Sequence, residues 1–463
     1  MSQLPESWSC CISSPVPYPM RISARLRTLV ALCSTAIVGG LLLMAGQTEK
    51  LTFADSEVFA ASGTLRWFKG NVHTHTLWSD GDDYPEMVAL WYKDNGYDFL
   101  SFSDHNTLLN HERWIDALNS SGGRVALDKL RARFPKNWVD ERLNDNGKLE
   151  VRLKTFDEIT RKIGNREFLM IQGEEISDHF RRTPIHMNVT NLNEVIPPMG
   201  GESVYDVMQR NTDALVAQCE RTGRPMLIHL NHPNFHYGVT AEDLARVRGE
   251  NFFEVYNGHP GVNNDGDQHH ASAPRIWDII LTRRIAEFHL PLMFGLATDD
   301  GHAYHKIPSR DSEPGRGWIV VLARELSPAA IIAAMNEGAF YASTGVMLER
   351  FATSPLGIEV QVTPGKEIDY TIDFIGTRTG YDSSSEPVLN RNRKPIETTR
   401  RYSNDVGRVL ATVSGTRAQY VFDDDDLYVR ARITSTKKHP NPSSPGEYER
   451  AWCQPVRGPA GRR

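Results

Sequence analysis

Histidines and acidic residues recur along the sequence at the ends of short apolar runs. The chain contains 16 histidines, and many of them lie in clusters between residues 73 and 305. Rigid strand ends that carry neutral imidazoles and carboxylates can fix divalent metal ions and leave a position open for water. The segments with this pattern are His73-Thr74-His75, Ser79-Asp80-Gly81, Ser103-Asp104-His105, Gly173-Glu174-Glu175, Ile185-His186, His229-Leu230-Asn231-His232 and Asp299-Asp300-Gly301-His302.

These segments indicate metal chemistry more strongly together than any one of them does alone. Buried polar groups scattered through a core would each need a separate partner, whereas shared metal ions satisfy them together. In His73-Thr74-His75, alternate residues of an extended strand project from one face, so both imidazoles can reach the same ion. We therefore expect a metal-dependent hydrolase that attacks with a metal-bound hydroxide, and we assign no further catalytic side chain.

The elements that must position these side chains alternate between buried strands and helices. Apolar runs at residues 68–72, 99–102, 168–171, 226–228, 252–255, 292–296 and 318–322 predict strands. Helix starts are predicted at Pro85, Ser203, Thr240 and Ser327. Strands that alternate with helices favour a parallel α/β architecture, and their repetition around one site favours a barrel over residues 63–350.

Two stretches depart from this alternation. Residues 106–166 carry dense charge and few strand signals, so we expect an inserted, mostly helical, solvent-facing excursion, with a lid over the site as the alternative. Over residues 351–463, short segments alternate apolar and polar residues between turns, which predicts a small C-terminal β-sandwich. The four consecutive acids at residues 423–426 are expected to form a solvated turn, since the ligand spacing of a calcium loop is missing.

Composition and motifs exclude several classes of function. The formal net charge of −6 gives no basic footprint for nucleic acid. Five cysteines, three of them before residue 34, provide neither a disulfide framework nor a thiolate metal site. The sequence contains no Gly-x-Ser-x-Gly elbow, His-Glu-x-x-His helix or Walker loop.

The first 62 residues resemble an export address in composition. Arg21, Arg25 and Arg27 precede an apolar run over residues 29–46, which predicts either a cleaved signal peptide or an uncleaved membrane anchor. Both alternatives place the body of the protein outside the cytoplasm, as a secreted, periplasmic or membrane-anchored protein. Because residues 1–19 are long for the basic region of a signal, we expect translation to start at Met20 rather than Met1.

The succession His-x-His, Ser-Asp-Gly, Asp-His, Gly-x-Glu, His, His-Pro and Asp-x-His resembles the PHP metallohydrolases, a family named for its polymerase and histidinol phosphatase groups. The resemblance runs from about Trp67 to Thr344. It implies a distorted (β/α)7 barrel with a trinuclear metal site. Within the family, the chain looks similar to the long exported members that carry a C-terminal β domain.

The resemblance also implies a ligand set. It assigns His73, His75 and Asp300 to the first ion, His186 and His232 to the second, Asp80, His105 and His302 to the third, and Glu175 as a bridge between the first two. Glu174 and Asp299 are the neighbouring alternatives to Glu175 and Asp300. We expect His229 to be structural or to support the ligands, and we give His179, His259, His289 and His305 no ligand role.

We expect the substrate to be a small phosphate ester, and Arg181 and Arg182 are weak candidates for binding its phosphate. The alternative on the same metals is hydrolysis of a carbamate or carboxylic ester, with an apolar slot formed by residues such as Trp78, Phe235 or Tyr304. A second alternative is a non-catalytic extracytoplasmic metal-binding or ligand-binding protein. The cofactors are expected to be two or three divalent ions, and imidazole with carboxylate suits Mn, Zn or Fe. Membrane contact is expected only through the possible N-terminal anchor.

Overall fold

The computed structural model describes residues 64–462, which contain seven α-helices and 23 strands. The helices are α1 (Pro85–Asp94), α2 (Gly123–Arg133), α3 (Phe156–Ile163), α4 (Val204–Thr222), α5 (Ala241–Leu244), α6 (Ala273–Ala286) and α7 (Pro328–Asn336), followed by a short 3-10 helix at Ala460–Arg462. The strands are β1 (Arg66–Asn71), β2 (Phe99–Ser101), β3 (Trp114–Asp116), β4 (Glu141–Leu143), β5 (Leu149–Arg152), β6 (Leu169–Ile171), β7 (Gly173–Phe180), β8 (Thr183–Thr190), β9 (Leu227–Leu230), β10 (Phe252–Asn257), β11 (Phe294–Thr298), β12 (Trp318–Ala323), β13 (Phe340–Ser343), β14 (Leu348–Ser354), β15 (Gly357–Val362), β16 (Tyr370–Arg378), β17 (Ser385–Glu386), β18 (Arg401–Tyr402), β19 (Arg408–Ser414), β20 (Arg417–Val421), β21 (Asp426–Lys438), β22 (Tyr448–Cys453) and β23 (Val456–Arg457).

Two sheets carry the strands that position the site. In the first, β12, β1, β2 and β6 are neighbours, and β1, β2 and β6 run parallel. In the second, the order is β11-β10-β9-β8-β7, with β8 antiparallel to both of its neighbours. Isolated parallel bridges join the two sheets where the strands end, between His105 and Glu175 and between Thr74 and Gly301. The predicted α/β class is therefore confirmed, but the sheets are mixed rather than purely parallel, because β12 and β8 run antiparallel to their neighbours. The carboxyl ends of β1, β2 and β11 meet at one place.

One apolar cluster lies below this meeting point. It collects buried residues from six of these strands: Phe68 (β1), Phe99 (β2), Ile171 (β6), Leu227 (β9), Phe252 (β10) and Leu296 (β11). Each of these side chains is at most 3% exposed. Close-packed apolar side chains of this kind hold the strands rigidly, so the residues that follow each strand keep fixed positions.

The predicted helix starts match the structure because local chemistry defines them. Pro85 is the first residue of α1, where its missing N–H leaves no helical hydrogen bond unmade. Ser203 caps α4 by accepting a hydrogen bond from the Asp206 N–H at 3.1 Å. The same helix ends at Gly223, whose φ of 65° lies in the left-handed region that favours glycine.

The inserted segment differs from the expectation of a mostly helical excursion. Besides α2 and α3, it forms a three-stranded antiparallel sheet in the order β3-β5-β4. It also packs inward, since Leu130, Val151 and Ile159 are buried in the same apolar cluster as Val88 of α1. The exposed face of β4 carries no apolar alternation, which is why the sequence pattern did not predict a strand there.

The strands after residue 350 lie where the alternating pattern predicted them, but their pairing extends beyond that region. β22 pairs with β13, so the sheet that contains β1 continues through β22, β21, β16 and β19. A separate sheet of β14, β15 and β20 shares an apolar cluster with it, in which Ile358 and Val360 lie with Ile372 and Ile433. These strands therefore share one apolar core, and the larger of their two sheets is continuous with the sheet that carries the site.

The acidic run forms the expected turn at residues 424–425, but Asp426 is buried as the first residue of β21 instead of being solvated. A cation neutralises part of the run. Arg378 lies 3.0 Å from Asp426 and 3.6 Å from Asp425, and it also contacts Asp423.

The predicted export segment at residues 1–62 falls outside the described residues. Within residues 64–462, no helix is both long enough and apolar enough to cross a bilayer.

A buried ion pair joins α6 to the C-terminal strands, and its loss should destabilise the protein. Arg430 of β21 donates two hydrogen bonds to Asp278, at 2.6 and 2.8 Å, and the Tyr428 hydroxyl donates a third at 2.9 Å. Replacing Asp278 with Ala leaves the arginine buried without its anion, so we expect the free energy of unfolding in urea to fall by about 3–5 kcal/mol. Glu194→Ala, which breaks the exposed pair with Arg221, is the matched control and should change little. Equal effects of the two substitutions would contradict this account.

Candidate metal centre

The structure brings all nine residues of the implied ligand set to the meeting point of the strand ends. Three groups of residues show the clustering, and within each group the nitrogen and oxygen atoms that could bind a metal lie within 4.8 Å of one another. The groups are His75 with Asp80, His105 and His302; His73 with His75 and Glu175; and His73 with His232 and Asp300. His186 belongs to a further group with His105 and Glu175. Side chains far apart in sequence therefore share one small volume.

The carboxylate of Glu175 lies at the centre of this volume. Its Oε2 is 3.2 Å from Nε2 of His75 and 3.5 Å from Nε2 of His73. Nδ1 of His105 is 2.9 Å from Oε2, and Nδ1 of His186 is 2.9 Å from Oε1. Four imidazoles, from two strand ends and from β8, thus surround one buried carboxylate, which is the geometry that a bridging ligand requires.

Glu174 points the other way, as expected for the adjacent residue of a strand. Its Oε1 accepts a hydrogen bond from the Ile196 N–H at 2.6 Å, on the side of β7 away from the cluster. Burial raises the pKa of Glu174 to about 8, so this residue is neutral in the folded protein at pH 7. The alternative of Glu174 as the shared carboxylate therefore does not fit the structure.

Asp300 is the second carboxylate of the cluster. Its Oδ1 is 3.2 Å from Nε2 of both His73 and His75, and its Oδ2 is 4.0 Å from Nε2 of His232. Its φ of 50° places the chain in the left-handed region, which turns the side chain inward. Asp299 faces away and accepts hydrogen bonds from the Tyr92 hydroxyl and from two backbone N–H groups after β11.

Asp80 forms the most open corner of the cluster. Its Oδ1 is 3.4 Å from Nε2 of His302 and 3.5 Å from Nε2 of His105, and its side chain is 57% exposed. Nδ1 of His302 donates to the backbone carbonyl of Asp300 at 2.8 Å. Because a carbonyl can only accept, Nδ1 carries a proton, and the neutral form of His302 therefore has its lone pair on Nε2, the nitrogen that faces the cluster.

Sequence reasoning missed Glu254 in β10. This buried carboxylate accepts hydrogen bonds from His73 Nδ1 at 2.7 Å and from the His232 backbone N–H at 2.7 Å. It thereby fixes the proton of His73 on Nδ1 and turns Nε2 toward Glu175 and Asp300. The sequence did offer one indication of this role, because Glu254 is the single acidic residue of the buried strand Phe252–Asn257. Asn231 was also missed as a contact, and it donates to Glu175 Oε1 at 2.8 Å.

Opposite charges dominate the electrostatics of the cluster. Burial opposes ionisation, but Asp300, Glu254 and Glu175 raise the pKa of His73 well above its ordinary value. In the same way, His105, His186 and His73 outweigh burial and hold the pKa of Glu175 well below its usual range.

The same balance acts at the open corner. Burial would lower the pKa of His105, yet Glu175 and Asp80 raise it to about 11. In the absence of metal, protons on His73 and His105 therefore balance the buried carboxylates.

The donor set fits divalent metal ions. Nε2 of His73, Nε2 of His75 and Oε2 of Glu175 are buried and have no hydrogen-bond partner among the described residues, although they point at one another. Buried polar atoms of this kind normally have partners, so their convergence calls for a shared cation. Imidazole nitrogen with carboxylate oxygen is the donor chemistry of Zn, Mn and Fe sites.

The structure does not bring Arg181 and Arg182 into the cluster. Both are exposed at the tip of the β7–β8 hairpin, and the Arg181 guanidinium lies over the Phe180 ring, 5.0 Å from its centroid. His229 is buried behind the cluster, 3.5 Å from Glu254. Their roles as substrate-binding and supporting residues stay predictions.

One of the three aromatic residues suggested for an apolar slot lies at the site. Phe235 has its ring centroid 5.1 Å from that of His232 and 6.5 Å from that of His186. Trp78 and Tyr304 are buried, at 0% and 4% exposure, and their polar groups bond within the protein. Phe235 is therefore the one of the three that borders the cluster.

Three solved structures align with the chain at low identity. A two-domain protein containing a predicted PHP-like metal-dependent phosphoesterase, from Bacteroides vulgatus, is 15% identical with a TM-score of 0.37, covering 84% of this chain and 95% of its own. PsfC from Pseudomonas syringae is 14% identical with a TM-score of 0.30, covering 58% and 89%. A candidate metal-dependent phosphoesterase from Bifidobacterium adolescentis is 13% identical with a TM-score of 0.28, covering 53% and 92%.

No protein-family model and no curated protein matches the chain.

The hydrogen bond from His73 to Glu254 should control metal affinity. Glu254→Gln removes the charge that holds the His73 ring, so we expect metal affinity to fall about 10- to 100-fold, measured by competition with a chelator. Glu250→Gln is the matched control, because burial raises the pKa of Glu250 to about 8 and a neutral amide resembles its protonated form. Unchanged affinity in Glu254→Gln would show that Glu254 does not orient a ligand.

Metal binding should release protons, since His105 has a pKa of about 11 without metal and must be neutral to act as a ligand. We expect calorimetric titration of the metal-free protein with Mn or Zn, in two buffers of different ionisation enthalpy, to show proton release at about pH 7. Affinity should weaken as the pH falls from about 8 to about 6, because protons and metal compete for the same imidazoles. Affinity independent of pH would contradict the assignment of protonated imidazoles to this site.

Proposed function

We propose that this protein is a metal-dependent hydrolase of the PHP type, most consistent with a phosphoesterase. The observation that carries the proposal is the convergence of nine imidazole and carboxylate side chains on Glu175 and Asp300. In this proposal, β1, β2, β6 with β7, β8, β9, β10 and β11 form the distorted seven-stranded barrel, and the C-terminal strands form its accessory β layer.

The nine donors divide into three sets, the first two of which share Glu175. The proposed sets are His73, His75, Asp300 and Glu175 for the first ion, Glu175, His186 and His232 for the second, and Asp80, His105 and His302 for the third. The second and third sets supply three protein donors each, which leaves positions for water and substrate, unlike a closed structural site. This favours an enzyme over a metal-binding protein without catalysis.

Bound divalent ions supply electrophilic stabilisation and lower the pKa of water to about 7. The chain's own residues set the geometry for that chemistry. Glu254 holds the His73 ring, and the carbonyl of Asp300 holds the His302 ring, so both present Nε2 to the cluster. Asn231 donates to Glu175 Oε1 and fixes the orientation of the shared carboxylate.

A carbamate or carboxylic-ester hydrolase on the same site is the second candidate. Two observations favour it. Within residues 64–462, no arginine or lysine hydrogen-bonds to the nine donors, and the wall beside His186 and His232 carries the apolar ring of Phe235. A phosphate would then depend on the ions alone for its neutralisation, whereas an ester carbonyl needs no further cation.

A panel of aryl phosphates and aryl esters on the metal-loaded protein distinguishes the two candidates. We expect phosphate hydrolysis to dominate and to disappear on chelation. His73→Ala should reduce it at least about 100-fold, because a lost ligand disturbs the site more than a lost supporting contact. His179→Ala, an exposed histidine of β7, is the matched control. Wild-type turnover in His73→Ala would exclude this site, and ester hydrolysis alone would select the second candidate.

The small-molecule substrate and the exported location are part of the proposal. A leader of basic residues and an apolar run before residue 62 supports export. The open corner at Asp80 supports access by a small ester, since its side chain is 57% exposed.

A further inference from the structure

His259 lies beside the metal centre without being one of its donors. It follows β10 by two residues, and its ring centroid is 5.8 Å from that of His302, edge to face. On its other side the ring centroid lies 5.9 Å from that of Phe235, which in turn contacts His232. His259 is therefore on the rim between two of the proposed ion positions.

The loop that carries His259 is fixed to the metal centre by Asn257. Oδ1 of Asn257 accepts from the His259 backbone N–H at 2.8 Å. Its Nδ2 donates to Glu254 at 2.8 Å and to Asp300 at 3.2 Å. The position of His259 is thus tied directly to two carboxylates of the site.

A backbone contact defines which nitrogen of His259 carries the proton. The N–H of Gly261 donates to Nδ1 at 2.9 Å, so Nδ1 must hold a lone pair. The ring is then neutral, with its proton on Nε2. A Cβ at position 261 would lie 2.9 Å from Nδ1, so glycine is required for this close approach. Burial lowers the pKa of His259, which agrees with a neutral ring.

The Nε2–H group of His259 has no acceptor among residues 64–462, and the residue is only partly buried. A positioned donor of this kind, next to ions that neutralise charge, is suited to an oxygen that carries charge in the substrate. A neutral imidazole gives up its last proton only at very high pH, so proton transfer to a leaving group is not its role.

We propose that His259 is a substrate-binding residue that donates a hydrogen bond from Nε2 to a non-bridging oxygen of the reacting group. This proposal rests on the proposed function, since it needs a substrate held at the ions. It adds a hydrogen-bond donor to a site whose other polar side chains are proposed to bind the ions or contact one another. No bond is made or broken by His259.

Three substitutions of His259, by Gln, Phe and Ala, separate hydrogen bonding from packing. His259→Gln keeps an N–H donor near the Nε2 position, and His259→Phe keeps the ring but has no donor. His236→Asn is the matched control, because His236 is exposed on the same rim and asparagine tolerates its φ of 51°. We expect His259→Phe and His259→Ala to weaken binding of inorganic phosphate to the metal-loaded protein about 10- to 100-fold, with His259→Gln close to wild type.

Two further measurements do not depend on turnover. Nitrogen-15 NMR of the metal-free protein should show the proton of His259 on Nε2, and Gly261→Ala should shift that signal. Elemental analysis should show the same metal content in all His259 variants as in the wild type, because His259 is not a ligand.

The outcomes distinguish this inference from the proposed function. If the wild type hydrolyses aryl phosphates but His259→Phe binds phosphate as tightly as the wild type, the inference is wrong and the proposed function stands. Equal losses in His259→Gln and His259→Phe would also overturn it, since packing would then explain both. If the metal-loaded wild type neither hydrolyses nor binds phosphate, the proposed function fails.

In hydrolysis, the loss of kcat/KM in His259→Phe should be the same for aryl phosphates with good and with poor phenol leaving groups. A loss that grows with the pKa of the leaving group would contradict a hydrogen bond to a non-bridging oxygen.

Discussion

A buried carboxylate is costly unless it is paired, and Glu175 is buried at 1% exposure in the middle of the described region. Its oxygens have imidazoles from His73, His75, His105 and His186 within 3.5 Å. These residues follow or belong to different strands, so the carboxylate is paired only when the strands have assembled. The stability of the fold and the assembly of the metal centre therefore depend on the same contact.

The elements around the cluster serve to keep this arrangement rigid. The apolar side chains below it hold the strands at fixed spacing, and the polar side chains beside it hold the rings at fixed angles. Glu254 links His73 to His232, and Asn257 links Glu254 to Asp300. A small movement of β10 would therefore change several donors together, which makes this strand the main support of the site.

Much of the site was predictable because short patterns determine it. His-x-His in the segment that follows β1 directs two rings at the same carboxylate, and strand periodicity separates Glu175 from Glu174. The helix starts at Pro85 and Ser203 were predictable because capping involves only neighbouring residues. Glu254 was missed because its role depends on partners that are distant in sequence.

The rest of the fold depended on long-range pairing that no local pattern reveals. Ala342 pairs with Trp452, which makes the C-terminal strands continuous with the sheet of the site. The alternation of apolar residues predicted the strands but could not indicate which neighbour each would join. In the same way, the inserted segment gained its antiparallel sheet from pairing between β3, β5 and β4, where charged residues conceal the strand pattern.

The most direct test of the metal centre is anomalous X-ray diffraction from crystals of the metal-loaded protein, with data collected on both sides of the absorption edge of the metal. The account predicts at least two anomalous peaks within coordination distance of Glu175, one of them also contacting His73, His75 and Asp300. Crystals with full metal in the solution and no anomalous peak at Glu175, or with peaks only at other residues, would contradict it.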